Sequence, residues 1–300
     1  MKILLTGATG FIGTNFILQL YKKYEIIALV RKSSNTSKIE QFCKVFYYER
    51  DMQKLSNFLR KENIDGVVHL AALYIKNHDT YQVSSLIEGN ITFGVELLET
   101  LYMIDFKGWF INVGTFWQFY KNLPDNPLNL YAATKTAFLR VADYYIQVAK
   151  FRFTTILLND TYGPNDLRPK IFNIWLEALT SGKQIKMSGG EQIIDILYVD
   201  DVIDAFDICI NLLTKKEGML LRNRKVALHS KERKTLKDIA KIFKDCFGQE
   251  IDIKWGALPY SLRENFIPYE GGDELPCWEQ KITFQQGFNM IKDCYNDKND

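Results

Sequence analysis

Residues 6–13 read Thr6-Gly7-Ala8-Thr9-Gly10-Phe11-Ile12-Gly13, and no other stretch restricts the fold of this chain as tightly. A five-residue, strand-like opening, Met1 to Leu5, precedes it. A run with helical spacing of apolar residues, Phe11 to Tyr21, follows it. Strand, glycine turn and helix in that order form the opening unit of a parallel sheet that binds a dinucleotide. Gly7 is expected to permit the tight turn, Gly10 to leave room for backbone beside a pyrophosphate, and Gly13 to let the helix pack closely. Thr9, Phe11 and Ile12 belong to the same turn, where free N–H groups and the helix dipole attract phosphate. An ordinary βα turn with three glycines is the alternative reading.

The pattern continues as alternating strand and helix. Strand-like runs occur at Lys2–Thr6, Glu25–Val30, Lys44–Tyr48, Gly66–Leu70, Trp109–Val113 and Thr154–Leu158, and a long helical pattern covers Ser84–Tyr102. Such alternation predicts an α/β fold, a Rossmann-type doubly wound parallel sheet covered on both faces. Ligands in these sheets lie beyond the carboxyl ends of the strands. Gly7, Arg31, Asp51, Ala71, Thr115 and Asn159 each follow one of the six runs. After about Gly163 the rhythm breaks, and Pro164, Pro169, Gly182, Gly189 and Gly190 punctuate the chain. The remainder reads as a smaller C-terminal α/β domain that covers a substrate. Beyond these breaks, Tyr198-Val199-Asp200-Asp201-Val202 starts another helix, with an acidic residue expected at its N-cap.

Composition excludes other classes. With 38 basic and 36 acidic residues in 300, there is no bulk pull toward nucleic acid. The five cysteines (Cys43, Cys209, Cys246, Cys277, Cys294) form no Cys-x-x-Cys, so neither a metal nor a disulfide framework is expected. His69, His78 and His229 lack metal-ligand spacing, and His69 and His229 are expected at strand ends. No apolar stretch reads as a secretion signal or a membrane span, and the expected location is cytoplasmic.

A second motif lies on a helical pattern from about Asn129 to Lys150: Tyr131-Ala132-Ala133-Thr134-Lys135. Residues four apart share a helix face. The Lys135 ammonium is therefore expected to lower the pKa of the Tyr131 phenol and make it a usable proton donor. The second run ends in Val30-Arg31-Lys32-Ser33-Ser34 with no acid before Glu40. A carboxylate there would accept the ribose hydroxyls of NAD; Arg31, with Lys32 and Ser33, instead suits the 2′-phosphate of NADPH. A solvated basic loop is the alternative.

The TGATGFIG opening together with Tyr131-x-x-x-Lys135 resembles the extended short-chain dehydrogenase/reductases, the NAD-dependent epimerase/dehydratase family. The resemblance implies a catalytic set of Thr115, Tyr131 and Lys135, with Thr115 holding a substrate carbonyl. It implies that Leu70-Ala71-Ala72 lie along the cofactor. Asp51, beside Met52, contacts adenine or caps a helix, or does both. Asn90 takes an architectural role. It further implies a discontinuous division, with 1–163 and about 193–229 binding NADP and about 164–192 and 230–300 binding substrate. A homodimer is expected through a four-helix bundle of the helices at Ser84–Tyr102 and Asn129–Lys150, with Leu97, Leu98, Leu101, Phe138, Val141 and Tyr145 supplying apolar surface.

Dehydratases of the family carry Asp-Glu after the catalytic threonine. This chain has Phe116-Trp117, which cannot exchange protons; these two line an apolar pocket or pack in the core. Asn159-Asp160-Thr161-Tyr162-Gly163-Pro164, Gln192-Ile193-Ile194-Asp195 and Trp255-Gly256-Ala257-Leu258-Pro259-Tyr260 are similar to bacterial sugar-nucleotide 4-ketoreductases, the subgroup that includes CDP-abequose and CDP-paratose synthases. Most relatives have Arg at position 194 and Asn at position 160. The resemblance implies NADPH-dependent reduction of a CDP- or dTDP-linked 4-keto-6-deoxy or 3,6-dideoxy hexose. Tyr74, Phe116, Trp117, Asn159, Asp160, Arg168 and Lys170 are the expected substrate contacts, with Arg168 and Lys170 on the diphosphate or in a solvated loop. Rival readings are an NAD-dependent sugar-nucleotide epimerase and a non-catalytic NADP sensor; the presence of both Tyr131 and Lys135 argues against the latter.

Overall fold

The structure, a computed structural model, describes residues 1–215 and 221–297. In chain order the first part contains β1 (Lys2–Thr6), α1 (Phe11–Leu20), β2 (Glu25–Arg31), β3 (Lys44–Tyr48), α2 (Met52–Glu62) and β4 (Gly66–His69). A long, interrupted helix follows: α3 (Val83–Ile87), a π turn (Glu88–Thr92) and α4 (Phe93–Met103). Then come β5 (Trp109–Thr115), α5 (Leu130–Val148), β6 (Arg152–Leu158), β7 (Asp160–Tyr162), α6 (Ile171–Ser181), β8 (Ile185–Lys186), β9 (Ile193–Ile194), β10 (Ile196–Tyr198) and α7 (Val199–Thr214). The rest contains β11 (Lys225–Ala227), β12 (Lys234–Thr235), α8 (Leu236–Phe247), β13 (Ile253–Lys254) and α9 (Phe284–Asn296).

Strands β1, β2 and β5 bury nearly every residue on both faces, as a parallel sheet under helices demands. The seven-stranded sheet runs β11-β6-β5-β4-β1-β2-β3, all parallel. Strand order reverses between β1 and β4, which opens a crevice at their carboxyl ends. Phe16 and Ile17 of α1 and Phe206 and Ile210 of α7 pack on one face. Leu55 and Leu59 of α2, Leu97, Leu98 and Leu101 of α4, and Phe138 of α5 pack on the other. The first core continues through Trp175, Phe243 and Phe288 into α6, α8 and α9. Three two-stranded ladders, β7–β10, β8–β13 and β9–β12, stand apart from the main sheet.

Three expectations change. Leu97, Leu98, Leu101, Phe138 and Tyr145 are at most 6% exposed, because they face this chain's own sheet. The outward apolar residues of these helices are Val83, Ile87, Tyr102, Met103, Val141, Tyr144 and Val148. Helix α7 has Tyr198, not an acid, at its N-cap. Asp201 in its first turn instead accepts the N–H groups of Lys281 (3.0 Å) and Ile282 (3.1 Å), which moors the C-terminal segment. Burial pushes that carboxyl up from its usual range. Strand β11 was not anticipated; three residues carry too little pattern. His69 ends β4, and His229 lies two residues beyond β11. Among the described residues no helix is long and apolar enough to cross a membrane.

Candidate active site

Gly7 has φ +67°, and a Cβ there would stand 2.7 Å from the Leu70 carbonyl carbon and the Ala71 nitrogen. The turn is thus pressed against the end of β4, and only glycine fits. Gly10 differs: a Cβ would meet only the Gly7 oxygen, at 3.2 Å. The space beyond it is open on the side where α1 begins. That helix has no side-chain cap and no acid in its first turn. Its first N–H groups and dipole await an anion, so the turn fits a dinucleotide pyrophosphate. Thr6 pairs in register with His69; its Oγ1 lies 2.9 Å from His69 Nδ1 and accepts the Ala71 N–H at 3.1 Å. This holds Leu70-Ala71-Ala72 beside the glycine turn. Burial, with the Lys135 charge second, pushes His69 down to about 3, so it is a neutral spacer.

At the end of β2, Arg31 is exposed, and its guanidinium has no partner among the described residues. Lys32 lies 3.4 Å from Glu49, and Ser33 is exposed. Asp51 caps α2 by accepting the Lys54 N–H at 2.8 Å, with Met52 the first helical residue.

The ends of β5 and α5 meet through side chains that lock α5 on two sides. The Thr115 N–H donates to Gln118 Oε1 (2.9 Å), and Gln118 Nε2 donates to Thr136 Oγ1 (3.3 Å). On the other side, Asn90 in the π turn accepts the Leu73 N–H (2.7 Å) and donates to the Leu73 carbonyl and to Thr134 Oγ1 (both 3.0 Å). Thr134 in turn donates to the Tyr131 carbonyl at 2.7 Å. Asn129 caps α5 by accepting the Ala132 N–H. Lys135 is therefore flanked by two anchored threonines, and Tyr131 lies one turn before it.

Lys135 is 3% exposed and has no hydrogen-bond or ion-pair partner among the described residues. Burial pushes it down to about 8. A buried, unpartnered ammonium at this place fits the ribose hydroxyls of a nicotinamide nucleotide. Tyr131 corrects an expectation: its phenol is pushed up to about 12, by burial first and by the Asp160 carboxylate second. Lys135 does not offset this.

Tyr74, Trp117 and Tyr131 form an aromatic wall. Tyr74 lies 5.6 Å from Trp117 and 5.2 Å, edge-on, from Tyr131, measured between ring centres. The Lys170 ammonium sits 4.2 Å from the Tyr74 ring centre and 3.0 Å from Asp160. The Arg168 guanidinium stands 4.6 Å from the ring centre of Phe11 at the start of α1. Its Nε and Nη2 are both held by Asp166 at 2.7 Å, and Nη2 also by the Thr161 carbonyl. Asn159 spends its amide on the Asp195 carbonyl (2.6 Å), tying β6 to β10. Phe116 leaves the expected set: it is 1% exposed and packs against His229 and Tyr269.

Sequence reading missed the network below Phe116. Asp195, fully buried, accepts the Ser230 N–H (3.0 Å) and lies 2.7 Å from Arg233. Arg233 also donates to His229 Nδ1 (2.8 Å) and the Tyr269 carbonyl (3.0 Å). Thr6, Thr134 and Thr136 were missed too. Their spacing within otherwise ordinary elements carries no signal.

The profile of the NAD dependent epimerase/dehydratase family matches residues 3–218. CDP-abequose synthase of Yersinia pseudotuberculosis is 29% identical over 258 residues, 84% of each chain. CDP-abequose synthase of Salmonella muenchen is 27% identical over 89% of this chain and 87% of its own length. Among solved structures, UDP-glucose 4-epimerase of Thermotoga maritima superposes with a TM-score of 0.83 at 20% identity over 100% of both chains. UDP-glucuronic acid 4-epimerase of Bacillus cereus, in complex with UDP-glucuronic acid and NAD, superposes with 0.83 at 22% identity over 99% of this chain and all of its own. With the glycine turn on β1 and the locked Tyr131–Lys135 pair on α5, the chain belongs to the NAD dependent epimerase/dehydratase family.

Proposed function

We propose that this protein uses NADPH to reduce the C4 keto group of a CDP- or dTDP-linked 4-keto-6-deoxy or 3,6-dideoxy hexose, a step of deoxysugar biosynthesis for surface polysaccharides such as O-antigen. The observation that carries the reading is Tyr131 one helical turn before Lys135, a buried side chain with no partner among the described residues, in a site whose positions 116 and 117 hold no acid. Removing water across C5 and C6 of a hexose needs a base for the C5 proton and an acid for the departing C6 hydroxyl, and Phe116 and Trp117 can serve as neither. Reduction needs one proton donor. Likeness to the CDP-abequose synthases supports the same substrate class.

When bound, the dinucleotide supplies a hydride. The chain's residues do the rest. The α1 N-terminus would hold the pyrophosphate, Arg31 would fork onto the 2′-phosphate, and Asp51 and Met52 would face adenine. Lys135 would bind the nicotinamide ribose and favour the phenolate left after proton transfer. Thr115 would hold the substrate carbonyl with its hydroxyl, while Tyr131 donates its proton to the oxygen forming at C4. Trp117 and Tyr74 offer an apolar wall to a deoxygenated C6, and Lys170 is placed for a diphosphate oxygen. In this reading 1–163 and about 193–229 serve the cofactor and about 164–192 and 230–300 the sugar. The enzyme works as a cytoplasmic homodimer, joined through the outward residues of α3, α4 and α5, including Tyr102, Val141 and Tyr144. Light scattering of a monomer at micromolar concentration would remove that part.

The test is incubation with CDP- and dTDP-4-keto-6-deoxy sugars and NADPH, with products resolved by NMR. NADPH oxidation with a new C4 carbinol proton is expected. Formation of a 4-keto sugar from CDP-glucose or dTDP-glucose with NAD would overturn the reading, and C4 inversion without net cofactor turnover would make the protein an epimerase.

A further inference from the structure

Arg168 lies in the loop from β7 to α6, and that loop is fixed from several sides. Asn173 on α6 donates to the carbonyls of Asp166 (2.7 Å) and Arg168 (2.8 Å). The Arg168 N–H donates to Asp166 Oδ1 at 3.1 Å. Its Nε donates to the same oxygen, and Nη2 donates to Asp166 Oδ2, to the Thr161 carbonyl (2.8 Å) and to Thr161 Oγ1 (3.2 Å). Nη1 takes no part in these bonds. The Asp166 side chain is 3% exposed, whereas that of Arg168 is 34% exposed and can still be reached. The guanidinium so held stands 4.6 Å from the ring centre of Phe11. Gly163 lies against the same ring, where a Cβ would stand 3.4 Å from Phe11 Cζ. Phe11 is the first residue of α1, whose N-terminus has neither a side-chain cap nor an acid in its first turn.

A helix N-terminus carries about half a positive charge. A guanidinium fixed beside it adds a second cation, and Asp166 occupies only the edge formed by Nε and Nη2. Two positive groups side by side repel, and an anion bound to both reverses the sign of the interaction. We propose that Arg168 is a cofactor-binding residue and not a substrate contact: through Nη1 it pairs with the dinucleotide pyrophosphate that the α1 N-terminus also holds. The loop after β7 then serves both ligands, Arg168 the cofactor and Lys170, beside the Tyr74 ring, the sugar nucleotide. The inference rests on the dinucleotide reading of the glycine turn and is indifferent to whether the sugar is reduced or epimerised.

Binding without turnover tests it. The dissociation constant of NADPH is read from its fluorescence, and that of adenosine 2′-phosphate, which has no pyrophosphate, from displacement of NADPH. Arg168→Gln can still donate to Asp166 but carries no charge. It should weaken NADPH on the order of tenfold and leave adenosine 2′-phosphate unmoved. Arg168→Lys should restore most of the NADPH affinity. CDP and dTDP, which carry a diphosphate without the sugar, should bind wild type and Arg168→Gln alike. Unchanged NADPH affinity in Arg168→Gln overturns the proposal. So does an equal loss for adenosine 2′-phosphate, which would mean a disturbed fold, and so does a loss for CDP or dTDP in place of NADPH, which would return Arg168 to the substrate. A wild type that binds neither NADPH nor NADH would sink the cofactor reading together with this inference. The Arg168→Gln loss in a protein that reduces no 4-keto sugar would uphold the inference and sink the reductase reading alone.

Discussion

On the wall built from α1, β2 and α5, cationic groups stand alone. Among the described residues, Lys135 is buried without a partner, the Arg31 guanidinium has none, and the α1 N-terminus has no side-chain cap. On the wall built from the chain after β6, the acids come with bases. Asp160 has Lys170 at 3.0 Å, Asp166 has Arg168 at 2.7 Å, and Asp195 has Arg233 at 2.7 Å. The first wall carries a desolvation cost that a bound anion or hydroxyl offsets. The second is satisfied without a ligand, so whatever binds there must open a pair or read groups the pairs leave over. The first wall is thus specified by what it lacks, and the second by internal competition.

The sharpest break of this comparison is Tyr131→Phe, which keeps the ring and removes the proton. Turnover should fall about 10²–10⁴-fold while dinucleotide affinity, measured by fluorescence, stays near wild type. Wild-type turnover would exclude Tyr131 as the acid.

Next in size is Arg233→Met. It strips the fully buried Asp195 of its guanidinium, and urea unfolding should show a loss of about 3 kcal/mol. A loss within experimental scatter would mean that the paired wall owes nothing to this network.

Lys135→Met tests the opposite wall. The folded pKa of about 8 lies below the usual 10.5, so the folded state bears the cost of a buried charge at neutral pH. From about 8 to 10.5 the folded protein sheds this proton before the unfolded chain does, and wild-type stability rises by about 1.4 kcal/mol per pH unit, about 3 kcal/mol in all. The Met variant should lack that rise and be the more stable at pH 7 without cofactor. Parallel stability–pH curves for the two proteins would show that Lys135 is already compensated.

The smallest effect is Arg31→Ala. Losing the 2′-phosphate contact should cost about 2 kcal/mol, seen chiefly as a higher KM for NADPH. Equal wild-type efficiency with NADH and NADPH would end the NADP assignment.

What sequence reveals here follows from how local the cause is. The glycine turn, the strands Lys2–Thr6 and Lys44–Tyr48, and the Tyr131–Lys135 pair are set by neighbours within a few residues, and all were legible. Phe116 was not: one residue after Thr115 the chain turns its ring under the strand end to His229, more than a hundred positions away in sequence. Periodicity marked Leu97 and Phe138 as apolar but could not say which partner they meet, the sheet of this chain or a second copy. The Tyr131 phenol was expected to be acidic because Lys135 is four residues on. Burial pushes it up instead, and a carboxylate that arrives from β7 adds to the rise. Arg233 reaches Asp195 from 38 positions away through the β9–β12 ladder of two residues per strand, too short for any pattern.

The π turn at Glu88–Thr92 gives chain length a meaning of its own. An α-helix advances about 100° per residue, so one residue more or fewer between α3 and α4 would swing Asn90 away from Leu73 and Thr134. Deleting Gly89 would let the helix wind regularly and satisfy its backbone better, yet it would unhook the loop that carries Tyr74 from the helix that carries Tyr131. Insertions and deletions here are therefore functional changes even where every side chain of the site is kept, and this chain's tolerance for them should be lowest at this turn.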